Sequence, residues 1–195
     1  MIVSYFKHAV RGLPLVAALL LSAGCAGLQL VPAYDPEIEK GLNTYHVGVL
    51  DFISTMEATR VSVSGTYKGQ SVRAYYAASD AALGNLVVQA EANEPEGSCG
   101  ASRLAGLGLQ ELARRTGELA ADLDESLGGD TVAAEAELTR GSCTVITLRA
   151  LQENHRSMQA LHRMEGRLVP PVSTIARDLL NDSVRIALTT EKAKK

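Results

Sequence analysis

The sequence has no tryptophan, only two phenylalanines and only three cysteines in 195 residues. Aromatic residues make up 4% of the chain. Such a composition, rich in Ala and Leu, suits helices and argues against sheets, which draw on β-branched and aromatic side chains. An excess of either charge is also lacking, with 19 Lys and Arg against 22 Asp and Glu. So balanced a chain has no overall electrostatic footprint for nucleic acid or for an anionic membrane, and no nucleic-acid partner is expected. Motifs of catalysis are missing too. There is no Gly-x-Ser-x-Gly elbow, Walker loop, Cys-x-x-Cys or His-Glu-x-x-His. Leu104-Ala105-Gly106-Leu107-Gly108 is glycine-rich but lacks the lysine and the preceding strand of a phosphate cradle. Neither an enzymatic role nor a cofactor is expected.

No apolar run reaches the ~20 residues of a membrane-spanning helix. The longest, from Leu13 to Leu21, follows a start that carries Lys7 and Arg11 and no acid, and it leads into Ser22, Ala23 and Gly24. A positive start, a short apolar middle and a small-residue end are the three regions of a secretory signal. Here the small residues are followed at once by Cys25.

Leu21-Ser22-Ala23-Gly24-Cys25 resembles the lipobox of bacterial lipoproteins, with Ser22 at the third position before the cysteine, where that class usually has leucine. The resemblance covers the signal and this stretch and none of the domain behind them. It implies removal of residues 1–24 and attachment of lipid at Cys25: a thioether-linked diacylglycerol and an amide-linked acyl chain such as palmitate. With about 0.8 kcal/mol for each buried CH₂, several chains make a stable anchor where one would not. Ala26 in place of an aspartate implies the outer membrane. Residues 25–34 then form a lipidated tether of at most about 35 Å, which keeps the domain beside the bilayer in the periplasm.

Removing Lys7 and Arg11 with the signal leaves 17 cations against 22 acids, a net charge of −5. The remaining chain, about 170 residues, fits one domain. Periodicity predicts an all-α, antiparallel bundle of about five helices over residues 35–191, with 192–195 as a frayed tail. The first helix starts at Asp35-Pro36-Glu37, a capping residue, a proline and a first-turn acid. Its seam is Ile38, Leu42, Tyr45, Val49, Phe52 and Met56, and it runs to about residue 60. The second covers about 70–93, with Val72, Tyr75 or Tyr76, Ser79, Leu83, Leu86 and Ala90 on one side. The third covers about 100–127, and residues 131–138 form a short helix or an ordered return. The fourth runs from 142 to 168, with Val145, Leu148, Leu151, His155, Met158 and Leu161 or His162 facing inward, and the prolines at 170 and 171 stop it. The last, 172–190, uses Ile175, Leu179 and Ile186.

With Cys25 assigned to lipid, Cys99 and Cys143 remain as an even pair in an oxidising compartment, where a disulfide is expected. The bond requires their Cα atoms to lie within about 7 Å. His155 and His162, seven apart on one helix, are the candidate metal ligands, with Glu153 and Glu165 nearby. However, Gln152 and Gln159 stand where a di-iron bundle needs glutamate, so no metal is expected and the histidines are read as lying at the wet margin of the core. The sequence therefore points to a membrane-anchored envelope lipoprotein whose bundle is a structural or interaction module with a protein partner. The alternative is a periplasmic sensor or carrier that binds a small apolar ligand or a metal between helices.

Overall fold

A computed structural model describes residues 32–94, 99 and 141–195. Four helices stand among these residues: α1 (Pro36–Ala58), α2 (Gln70–Asn93), α3 (Cys143–Glu165) and α4 (Val172–Lys192). The count is four where the sequence led to about five. The expected third helix at 100–127 and the return at 131–138 lie outside the described residues, as does the signal segment with Cys25.

Each helix starts and stops for a local reason. Asp35 accepts hydrogen bonds from the backbone N–H groups of Glu37 and Ile38, which α1 cannot satisfy internally, and Pro36 occupies the first turn. Ser142 does the same for α3 by accepting from the N–H of Val145. That helix ends at Gly166, which adopts φ 70°, a left-handed conformation that glycine enters without a Cβ penalty. The prolines expected to end it stand several residues further on, so α3 is shorter than the sequence suggested. Between α1 and α2 a 3-10 turn (Val63–Gly65) brings the chain back. A Cβ at Gly65 would lie 2.4 Å from the carbonyl oxygen of Thr59, so only glycine lets this turn close.

The helices alternate in direction. Asp35 at the start of α1 bonds to Gln89 and Asn93 at the end of α2, and its N–H reaches Glu191 at the end of α4. Arg149, near the start of α3, pairs with Glu91 near the end of α2. Consequently α1 and α3 run one way and α2 and α4 the other. α1 and α3 lie diagonally, each packed between α2 and α4. At the opposite end the turn after α1 meets the turn after α3, where the N–H of Tyr67 donates to the carbonyl of Gly166 and Arg167 caps the carbonyls of Arg60 and Ser62.

The core holds the whole predicted seam of α1 with Ile53 added, Val72, Tyr76, Leu83, Val87 and Ala90 of α2, and Val145, Leu148, Leu151 and Met158 of α3. On α4 the buried face is Ala176, Leu180, Val184 and Ala187. Ile186 is buried as expected, whereas Ile175 is 54% exposed, so in the first half of α4 the inward stripe passes through Ala176 and Leu180, one residue further along than expected. Small residues on that stripe let the helix approach α1 and α3 closely.

Candidate functional site

α3 carries both candidate histidines inward. Their seven-residue spacing is two turns, so His155 and His162 share a face, and both have no exposed surface. This corrects the expectation of a wet margin. The Tyr45 hydroxyl of α1 lies 3.0 Å from Nδ1 of His155, and the Tyr76 hydroxyl of α2 lies 3.0 Å from Nδ1 of His162. Phe52, Tyr75, Tyr76 and Tyr67 fill the space around them, with Phe52 and Tyr75 stacked at 3.8 Å. Five of the six aromatic residues among the described residues are thus gathered around the two histidines, Tyr34 being the exception.

Desolvation holds His155 well below the ordinary histidine range, at about 4, against the weaker pull of Asp80 and of the Tyr76 carbonyl. It lowers His162 as well, partly offset by the Gly65 carbonyl. Nε2 of each ring is buried and has no hydrogen-bond partner among the described residues. In a neutral ring whose proton is on Nε2, Nδ1 is the acceptor and each tyrosine hydroxyl donates to it. Burial also raises both tyrosines, Tyr45 and Tyr76, so their hydroxyls keep their protons. Two Tyr–His pairs therefore stitch α1 and α2 to α3.

These pairs leave little for a metal. Glu153 and Glu165 do not join the histidines, and among the described residues no group of three or more His, Cys, Asp or Glu could hold a metal ion. His46 is engaged elsewhere, with Nε2 2.7 Å from Oδ1 of Asn181.

Beside the aromatic cluster a shallow cleft of about 220 Å³ opens between α1 and α2, lined by Phe52, Met56, Val72 and Tyr75 with Asp51 at its mouth. Burial pushes the Tyr75 phenol up to about 12, with Ser79 acting against the shift and Asp51 with it.

A second polar cluster closes the end of the bundle at which α1 begins. The Glu191 carboxylate, with no exposed surface, accepts from the N–H of Asp35 at 2.6 Å and from the Thr144 hydroxyl at 3.3 Å. Lys194 lies 2.6 Å from it and 2.5 Å from Glu94, and its side chain is only 5% exposed. Lys195 reaches Glu39 and lies over the ring of Tyr34. The terminal residues 192–195 are therefore not a frayed tail: they fold onto the entry point of the domain. Sequence reading missed this cluster because a run of lysines after a helix looks like solvated chain. The one hint was Glu191, an acid on the buried side of α4.

At the same end Cys99 and Cys143 form a disulfide, with Cα atoms 4.6 Å apart and a separation of 44 in sequence. The predicted pair is brought together at the first residue of α3. No helix among the described residues is long and apolar enough to cross a membrane. No family model, curated protein or solved structure matches this chain.

Proposed function

We propose that this chain is a lipid-anchored envelope protein, held at Cys25 in the outer membrane, whose helical bundle faces the periplasm as a non-catalytic structural or interaction module. The observation that carries the reading is the sequence Leu21-Ser22-Ala23-Gly24-Cys25 behind a short apolar run and a basic start. Two features of the bundle support it. A disulfide suits an exported protein. A tether before Asp35 would also enter at the end where Asp35, Glu191 and Lys194 lock three helices together, so a pull on the anchor would be received by a cross-linked part of the domain.

The cleft between α1 and α2 favours a second reading, a carrier of a small apolar ligand. At about 220 Å³ it is smaller and more open than a typical ligand site, which places the interaction module first.

The test is Cys25→Ala expressed in cells that are labelled with radioactive palmitate. The wild-type chain is expected to take up label and to sediment with the outer membrane, and the variant to lose both. A variant that stays in the membrane fraction at the wild-type level excludes anchoring through Cys25.

A further inference from the structure

The charge of the chain is unevenly divided between the ends of the bundle. At the end away from the tether, residues 57–73 and 163–178 carry six Lys and Arg against three acids, a net of +3 in a mature chain whose net charge is −5. Arg177 is paired with Glu57, and Arg167 is spent on backbone carbonyls. Arg60, Lys68, Arg73 and Arg163 are all exposed, and among the described residues none of them has an ion pair or a side-chain hydrogen bond. Overall charge concealed this patch.

Apolar exposure gathers at the same end. Of the six large apolar side chains that face solvent among the described residues, four are there: Val61 at 87%, Val63 at 81%, Ile175 at 54% and Met164 at 46%. Val61 follows Arg60 directly, and Met164 follows Arg163. Cations interleaved with bare aliphatic groups match the boundary of an anionic bilayer, where phosphates take the charges and the upper acyl region takes the side chains. Nucleic acid would use the cations but offers nothing to valine, and the tip has no exposed aromatic ring for base stacking.

We infer that the tip formed by the α1–α2 turn and the α3–α4 turn docks on the anionic headgroup surface of the bilayer that holds the Cys25 anchor. The identity of that bilayer rests on the proposed anchoring; the chemistry of the tip does not. α1, with 23 residues, spans about 35 Å, and the tether adds up to about 35 Å, so the bundle can lean over until its tip meets the surface. Tethering makes the contact intramolecular, with an effective concentration in the millimolar range, which suits a patch of four charges and a few small apolar groups.

Because the chain has no tryptophan, Val61→Trp places a single reporter on the tip and Val47→Trp a control on the side of α1. The full lipidated chain is reconstituted in phosphatidylcholine vesicles with and without phosphatidylglycerol. The expected result is a blue-shifted emission from position 61, quenched by brominated lipid, only in anionic vesicles and lost at high salt. Replacing Arg60, Lys68, Arg73 and Arg163 with glutamate is expected to abolish that shift and to cost more than about a hundredfold in vesicle affinity. An unshifted tip in chains that do co-sediment with vesicles overturns the docking while leaving the anchor standing, and so does an equal shift at position 47. Should the chain not be lipidated, the soluble Cys25→Ala form at high lipid concentration gives the same reading of the tip. Binding of that form to polyglutamate but not to anionic vesicles assigns the patch to an acidic protein and overturns the proposal.

Discussion

An imidazole removed from water loses the hydration that would support its charge, so burial favours the neutral ring and the folded protein resists protonation there. His155 is the clearest instance, with its proton affinity lowered to about 4 beneath the Tyr45 hydroxyl. In the unfolded chain the same residue titrates near 6.5. Below that value the unfolded state binds more protons than the folded one, so stability falls as pH drops from 6.5 toward 4 and is fully present above that window. Between pH 6.5 and 5 the loss from His155 alone is roughly 1.5 kcal/mol, and His162 adds in the same direction. Urea unfolding followed by circular dichroism at stepped pH measures this. The double variant Tyr45→Phe with His155→Leu removes both partners, and its stability is expected to be flatter over the same interval. An unchanged slope in that variant assigns the pH dependence to other groups. Asp35, Glu39 and Asp80 also have lowered values, but they act at lower pH, where carboxylates titrate.

At the scale of helices, Asp35 joins three elements through one side chain and one N–H. Desolvation would raise its carboxyl, but hydrogen bonds from Gln89, the N–H groups of Glu37 and Ile38, and Asn93 outweigh it and lower it. Asp35→Ala removes the α1 cap and both bonds to α2 and is expected to cost about 2 kcal/mol, at the upper end for a cap. Thermal unfolding at neutral pH measures the loss, and an unchanged midpoint denies the cap its role. α1 was legible almost residue by residue, because a capping residue, a proline and a strict 3-4 apolar seam all pointed to the same helix. On α4 Ile186 was read correctly but Ile175 misled: the helix turns Ala176 to the contact and leaves Ile175 in water. Seven-residue spacing placed His155 and His162 on one face correctly. What spacing could not supply was depth, since the tyrosines that make burial tolerable come from α1 and α2, far away in sequence. The lysines at the end of the chain were misread for the same reason, because their partners Glu39 and Glu94 lie at least 100 residues earlier.

Over the whole molecule, the two ends of the bundle are bonded differently. The end at which α1 begins concentrates cross-links: the bond between Cys99 and Cys143, the Glu191 carboxylate and the folded-back lysines. The tip is joined by the contacts of Tyr67 and Arg167, and among the described residues Arg60, Lys68, Arg73 and Arg163 have no ion pair there. A domain anchored at one end and docking reversibly at the other, as proposed, would need this asymmetry, since locking the tip would remove its ability to dock. The disulfide is the term most easily tested. Closing a loop of 44 residues restricts the unfolded chain and is expected to stabilise the fold by about 4 kcal/mol in the chain-entropy account. Cys99→Ser with Cys143→Ser should therefore shift the denaturant midpoint down without changing the tip, and reduction of the wild-type chain should reproduce the shift. Because the helices of the tether end are also held by Asp35, Glu191 and Lys194, the unbridged variant is expected to keep its helical circular dichroism at low temperature. A double variant that unfolds at the wild-type midpoint would show that the polar cluster alone secures that end.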